Sequence, residues 1–320
     1  MRNFIAAVLL ALPIHVGADI QKPNNPYCPA VASVNCILSH AVDSIVLIGE
    51  EDVRLGLLSE VMYISSIHSS QSVRSSVIGV VGPTNAHLMR SINQAVIDGR
   101  QNTFHESYSE QPGIVAGYYW AEMGRGYLAK QNSAAVLMAM ENALNASEVI
   151  GRRLILDVIE STLLTYDPGL TELALKAFQE SGNGMSDEQV LLQMLDLAVA
   201  YMRGADVRSA EALIAQTDWG NTPPATQQDF LNFLLAMKHA AFGDYAIALN
   251  TVNQIHSSRL SFEAYSELAS LWLADDSNNV YGLEALNEAL VELALLEPSI
   301  DIPTKANSLI FLARKLPKKH

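Results

Sequence analysis

The sequence predicts an all-α fold of stacked helical hairpins, and three observations lead to it. Apolar residues recur at helical spacing: Val31, Val34, Ile37, Leu38, Ala41, Ile45 and Ile48, then, after a break at Gly49, Val53, Leu57, Leu58, Val61, Met62 and Ile64. A small residue returns in successive helices at Gly124, Thr162, Ala198, Ala236 and Ala269, in steps of 38, 36, 38 and 33 residues. Charged residues are only 17% of the 320. A helix with one face in water needs a polar stripe, so many of these helices must be covered on more than one side.

The stretch 117–150 organises the rest. Trp120, Met123 and Tyr127 lie on one helical stripe, and Gly124 removes a side chain where another helix approaches. Val136, Met140 and Ala143 fall where a second helix packs back. Together these residues resemble the W-x2-L-G-x2-Y pattern of a tetratricopeptide (TPR) repeat, with Met in place of Leu. Leu197, Ala198 and Tyr201 resemble its Leu-Gly-Tyr core, Gly243-Asp244-Tyr245 with Ala248 its inter-helix turn, and Tyr265, Leu268, Ala269 and Trp272 repeat the spacing, with Ala236 as the small residue of the unit between. The resemblance spans 114–296 and implies a right-handed α/α superhelix of TPR-like hairpins. Drift from a strict 34-residue period is expected, because a turn can gain a residue without unstacking its neighbours.

The resemblance also implies that the first helix of each hairpin lines a concave surface. The positions are Leu156, Ile159, Leu163 and Tyr166, then Leu192, Leu195, Val199 and Met202, then Phe230, Phe233, Met237 and Ala240, all apolar or aromatic. Burying one such side chain contributes about 1.5–3 kcal/mol, so the wall must be filled by the chain itself or by a ligand. Tyr118, Arg125 and Arg203 are the expected polar contacts to a partner.

Taken in order, the chain opens with Arg2, an apolar run from Phe4 to Leu12, and small residues at Val16-Gly17-Ala18, the pattern of a signal peptide over 1–18. The expected location is therefore outside the cytoplasm, in the periplasm of a Gram-negative bacterium or otherwise secreted, with no transmembrane segment in the mature chain. Removing Arg2 with the leader leaves 19 basic against 34 acidic residues, a net charge of −15, which argues against nucleic acid as the ligand. Cys28 and Cys36 are the only cysteines. In one helix they would be about 12 Å apart, beyond the reach of a bridge, so a disulfide requires the first helix to begin after Cys28, with Pro29 suited to its first position. Helical hairpins are expected over 19–98, an irregular linker over 99–113, the repeats over 114–296, and a capping helix or internal plug with a basic tail over 297–320. The basic tail, Arg314 to His320, is read as complementing the last helix dipole and staying solvated, with docking onto an acidic surface, the protein's own included, as the alternative.

A search for catalytic chemistry finds no nucleophile elbow, no phosphate-cradling glycine loop and no zinc-type His-Glu-x-x-His. The histidines are scattered, and no cofactor or metal is expected. Glu160-Ser161 followed by Asp167-Pro168 resembles a lytic transglycosylase fragment, but the Gly-Leu-Met-Gln that should follow is missing; Glu160 reads as a polar helix position. Asn145-Ala146-Ser147 marks a helix boundary with Ser147 as cap. The functional expectation is an exported, non-catalytic scaffold or adaptor that binds an unidentified protein or peptide through its concave face. Two other classes compete: a holdase or carrier of apolar ligands, and an enzyme on an α/α hairpin fold. Against the enzyme stand short connections and an inner wall expected to carry few carboxylates.

Overall fold

A computed structural model describes residues 25–28, 32–82, 95, 98–100, 113–181, 187–217, 219–220, 222–275 and 279–317. The leader expected at 1–18, Pro29, and the linker expected at 99–113, apart from 99–100 and the helix start at Gly113, lie outside the described residues. Among the described residues the structure is all-α. The helices are α1 (Val34–Ile45), α2 (Glu51–Ile67), α3 (Gly113–Ala129), α4 (Ser133–Ala146), α5 (Glu148–Thr165), α6 (Pro168–Glu180), α7 (Asp187–Arg203), α8 (Val207–Ala215), α9 (Pro224–Ala241), α10 (Tyr245–Val252), α11 (Ser258–Asp275), α12 (Val280–Leu296) and α13 (Ile302–Lys315). Residues 71–82 are helical as well, with Val73 and Val77 turned inward.

The first helix begins at Val34, later than the sequence suggested, because Ser33 caps it: its hydroxyl accepts from the Cys36 backbone N–H. Cys28 therefore stays outside the helix and Cys36 lies in its first turn. The two are joined in a disulfide with Cα atoms 6.0 Å apart.

Four hairpin turns share one construction. In each, a residue in the left-handed region is followed by Asn or Asp: Gln131-Asn132, Tyr166-Asp167, Ala205-Asp206 and Gly243-Asp244. The acidic or amide residue donates its backbone N–H to a carbonyl five residues back, at Tyr127, Thr162, Tyr201 and His239 respectively. This is the closure that ends a helix with its last carbonyls satisfied. The side chains of Asn132, Asp167 and Asp206 then cap the next helix by accepting from the N–H three residues on. Only the fourth turn uses glycine at the left-handed position. Ala205, at φ +61°, carries a Cβ there at a cost, so Ala205→Gly should raise stability by about 0.5–1 kcal/mol in a denaturant titration. At the boundary between α4 and α5, Ser147 stands in the cap position but its side chain makes no capping hydrogen bond.

Alternate helices form an inner layer. α3 packs on α5, α5 on α7, α7 on α9 and α9 on α11, while α4, α6, α8, α10 and α12 back them as hairpin partners. At one end α2 packs on α3; at the other, α13 packs on α11 and also on α1 and α2. The last helix thus returns to the first hairpin and closes the circuit. Its Ala306, Leu309, Ile310, Leu312 and Ala313 are fully buried, so α13 belongs to the core rather than capping it from outside.

The residues read as repeat-packing positions sit in that core. Trp120, Met123, Ala198, Ala236, Ala248, Ala269 and Trp272 are buried, and Tyr127 and Tyr201 are half-buried against it. A Cβ on Gly124 would lie 2.8 Å from Leu154 on α5 and 3.4 Å from Ala139 on α4. The glycine therefore serves the next inner helix more than its own hairpin partner.

Candidate functional site

Of the two ways to fill the apolar positions expected on a concave wall, the structure shows the first, filling by the chain itself. Ile159, Leu195, Val199, Met202, Phe230, Phe233, Met237 and Ala240 are buried in the core. They fill the seams between neighbouring helices and present no surface to a partner in this conformation. Leu156 and Leu163 are only partly buried, Tyr166 ends α5 and is 89% exposed, and the side chain of Leu192 lies outside the described residues. On α5 and α7 the face turned to the centre lies one residue further on, at Asp157 and Glu160 and at Asp196 and Arg203. One residue is about 100° around a helix, enough to exchange an apolar wall for a charged one.

Those faces converge. Glu60 on α2, Glu122 and Arg125 on α3, Asp157 and Glu160 on α5, Asp196 and Arg203 on α7, Glu263 and Glu267 on α11, and Arg314 and Lys315 on α13 form one electrostatic network. The inner wall is therefore rich in carboxylates, the opposite of the sequence expectation. The Arg314–Lys315 end of the chain is docked inside its own acidic centre rather than solvated.

Two hubs organise the network. Arg314 pairs with Glu60 at 2.7 Å and with Glu122. Arg125 pairs with the same Glu122 and reaches Asp157, with its Nε donating at 2.8 Å. Arg203 pairs with Glu267 at 2.6 Å and, more loosely, with Glu160 at 3.6 Å. Its Nη2 also donates to Ser270 at 2.8 Å, and Ser270 donates to the Lys315 carbonyl at 3.0 Å. Lys315 completes this second hub through Glu267. Arg125 and Arg203, expected as partner contacts, are thus engaged within the chain, and Tyr118 is buried beside the first hub.

Burial and charge set the ionisation. Burial pushes the Glu60 carboxyl up, and Arg314 beside it does not fully offset this. Burial also acts on Glu122, but Arg125 and Arg314 outweigh it and hold the carboxyl below the usual range. The same balance holds Asp157 low, through Arg125, and Glu267 low, through Arg203 and Lys315. Burial raises Glu160 and Glu263, whose single arginine partners are more distant, at 3.6 and 3.3 Å. Asp196 is pushed up to about 7, by desolvation first and then by the negative charge of Glu263.

The network is closed at one end and open at the other. Glu60, Glu122 and Glu267 keep 1%, 3% and 7% of their side-chain surface, whereas Asp157 and Glu160 keep 40% and 30%. Asp196 reaches solvent outright. A carboxylate can touch water and still be poorly hydrated when protein surrounds it on most sides, which is the condition at the mouth of a recess. Among the described residues no group of three or more His, Cys, Asp or Glu is arranged to hold a metal ion, and no helix is long and apolar enough to cross a membrane. A separate apolar dent, lined by Leu191, Met194, Leu213, Trp219 and Phe230 among others, is of the size of a single water.

Compared with protein-family models, curated proteins and solved structures, the chain matches none.

The carboxylates were individually visible in the sequence. Glu122 with Arg125 and Asp157 with Glu160 are three apart, and Glu263 with Glu267 four apart, spacings that share one helix face. What the sequence lacked was the rotational setting of each helix. A register borrowed from the repeat resemblance placed the neighbouring apolar positions at the centre instead.

Proposed function

We propose that the protein acts by binding, as an adaptor of the TPR-like superhelical type, and that its partner is held at the mouth of the charged recess rather than on an apolar concave wall. The observation that carries this reading is the convergence of acidic side chains on a partly open centre: Asp157, Glu160, Asp196 and Glu263 lack the tight pairing of the deeper carboxylates or keep solvent access. A basic, helical or extended segment of a partner suits such a mouth, since it adds a cation beside Asp196, whose carboxyl Arg152 and Lys315 do not bring back to the usual range. The turn construction shared by four hairpins supports the repeat assignment. Export to an oxidising compartment fits the disulfide.

One observation favours a second reading. A carboxyl with a pKa near neutrality beside another raised carboxyl is the ionisation state of a general acid, so an enzyme using Asp196 and Glu263 is the alternative.

The test is capture from the parent cell's envelope extract by the full chain and by the Asp157→Asn, Glu160→Gln, Asp196→Asn, Glu263→Gln variant. A partner retained by the parent chain, released by raised salt and lost by the variant is the expected result. Equal retention by both would place binding elsewhere on the molecule. Truncation before α13 is the wrong tool here, because it strips fully buried side chains from the core.

A further inference from the structure

The N-terminal disulfide and the start of the last helix are joined by one side chain, Tyr27. Asn25 holds the turn that presents it, accepting from the Tyr27 and Cys28 N–H groups at 2.9 Å each and donating to the Cys28 carbonyl at 3.1 Å. Asn25, Tyr27 and Cys28 are all buried. The disulfide ties this turn to Cys36 on α1, and His40, one helical turn further on, meets the Tyr27 carbonyl through Nε2 at 2.5 Å and its ring edge-on at 5.4 Å. On its other side the Tyr27 hydroxyl donates to Glu297, which ends α12 and stands five residues before α13. Lys305, in the second turn of α13, pairs with the same Glu297 and lies 5.3 Å over the Tyr27 ring. Burial alone would raise the Glu297 carboxyl, yet the hydrogen bonds from Lys305 and Tyr27 hold it low.

We propose that this assembly is a redox latch: the Cys28–Cys36 disulfide holds Tyr27 in the position that fastens the start of α13, and so controls the closure of the ring. The latch stands apart from what the recess binds, but it acts on the helix whose far end places Arg314 and Lys315 there. Opening requires a dithiol reductant. One of its thiolates attacks Sγ of Cys36, the more exposed of the two cysteines, and Cys28 leaves as a thiolate. The reductant's second thiol then resolves the mixed disulfide, releasing Cys36. Two electrons and two protons pass to the protein, and the reductant ends as a disulfide. With the bridge cut, the Asn25–Cys28 turn loses its covalent tie to α1, and Tyr27 is positioned for Glu297 and Lys305 by non-covalent contacts such as those of Asn25 and His40. Ring closure would accordingly be complete only in a compartment that oxidises the pair.

Hydrogen exchange of the full chain tests this, in three states: oxidised, reduced with dithiothreitol, and oxidised Tyr27→Phe. Reduction is expected to speed exchange across 302–315 about tenfold, the scale of one charge-assisted hydrogen bond, with the outer helices α4, α6 and α8 unchanged. Tyr27→Phe, which keeps the disulfide and the ring but loses the hydroxyl, is expected to produce the same selective change to a smaller degree. Unchanged protection of α13 on reduction would overturn the proposal. So would uniform loss along the whole chain, which would make the disulfide a general staple, or an oxidised Tyr27→Phe protein indistinguishable from the parent.

Discussion

Replacing Arg314 with alanine is expected to cost about 3–5 kcal/mol of stability, the scale for removing one partner of a buried ion pair. The size follows from what is left behind. Glu60 keeps 1% of its side-chain surface and, among the described residues, pairs with Arg314, whereas Glu122 still has Arg125. The variant therefore strands Glu60 first. Its pKa, already raised in the parent by burial, rises further when the guanidinium goes. The sign of the pH dependence follows: a carboxyl whose folded pKa lies above its unfolded value destabilises the fold while ionised and ceases to do so once protonated. The deficit of the variant relative to the parent should shrink as pH falls through that raised value. Glu60→Gln in the same background should recover part of the loss at pH 7. Urea titrations at pH 7.5 and pH 5 decide the matter; a deficit below about 1 kcal/mol, flat with pH, would show that Arg314 is no more than a surface charge. In the parent, Glu122, Asp157 and Glu267 work in the opposite sense. Their folded values are depressed, so the stability they contribute is present above the ordinary carboxylate range and lost as pH falls through the folded values.

Gly151→Ala is expected to destabilise by about 3 kcal/mol or more, at the upper end for overpacking. A Cβ there would lie 2.5 Å from both the Cα and the N of Leu144. Those are backbone atoms of α4, which cannot move aside as a flexible side chain can. The intrinsic preference points the other way, because alanine in a helix interior is favoured over glycine by about 1 kcal/mol. The clash is expected to win. Gly79→Ala is the control: it lies in an exposed part of the helical run 71–82, with no atom within 4 Å of the new Cβ, and should show the propensity gain alone. Thermal melts of the two variants moving in opposite directions would confirm the assignment. A stable Gly151→Ala protein would mean that α4 and α5 are packed less closely at their joint than the structure has them.

The turns and the centre differ in how legible they were. The small residues at Gly124, Ala198, Ala236 and Ala269 could be read as hairpin contacts because a close approach of helices requires them, and they are buried where helices meet. Gly243-Asp244-Tyr245 is legible as a turn because of its glycine, whereas the Asn and Asp at 132, 167 and 206 carry an equally regular signal that becomes recognisable as a cap only once the left-handed residue before each is known. Glu160 was read as one polar helix position among many. It lies across from Arg203 on the next inner helix, a relation set by how two helices are rotated against each other.

By itself the sequence determined the helices, the order of their hairpins and the apolar positions that bury between them, because helical period, caps and small residues act over a few turns of chain. Tertiary structure alone decided that Ile302–Lys315 returns to α1 and closes the circuit, that the borrowed apolar wall is filled, and that charges from α2, α3, α5, α7, α11 and α13 meet in one place. Such contacts join residues as far as 254 positions apart, as Glu60 and Arg314 are. Their formation depends on the summed rotations of every helix between, which no local pattern records.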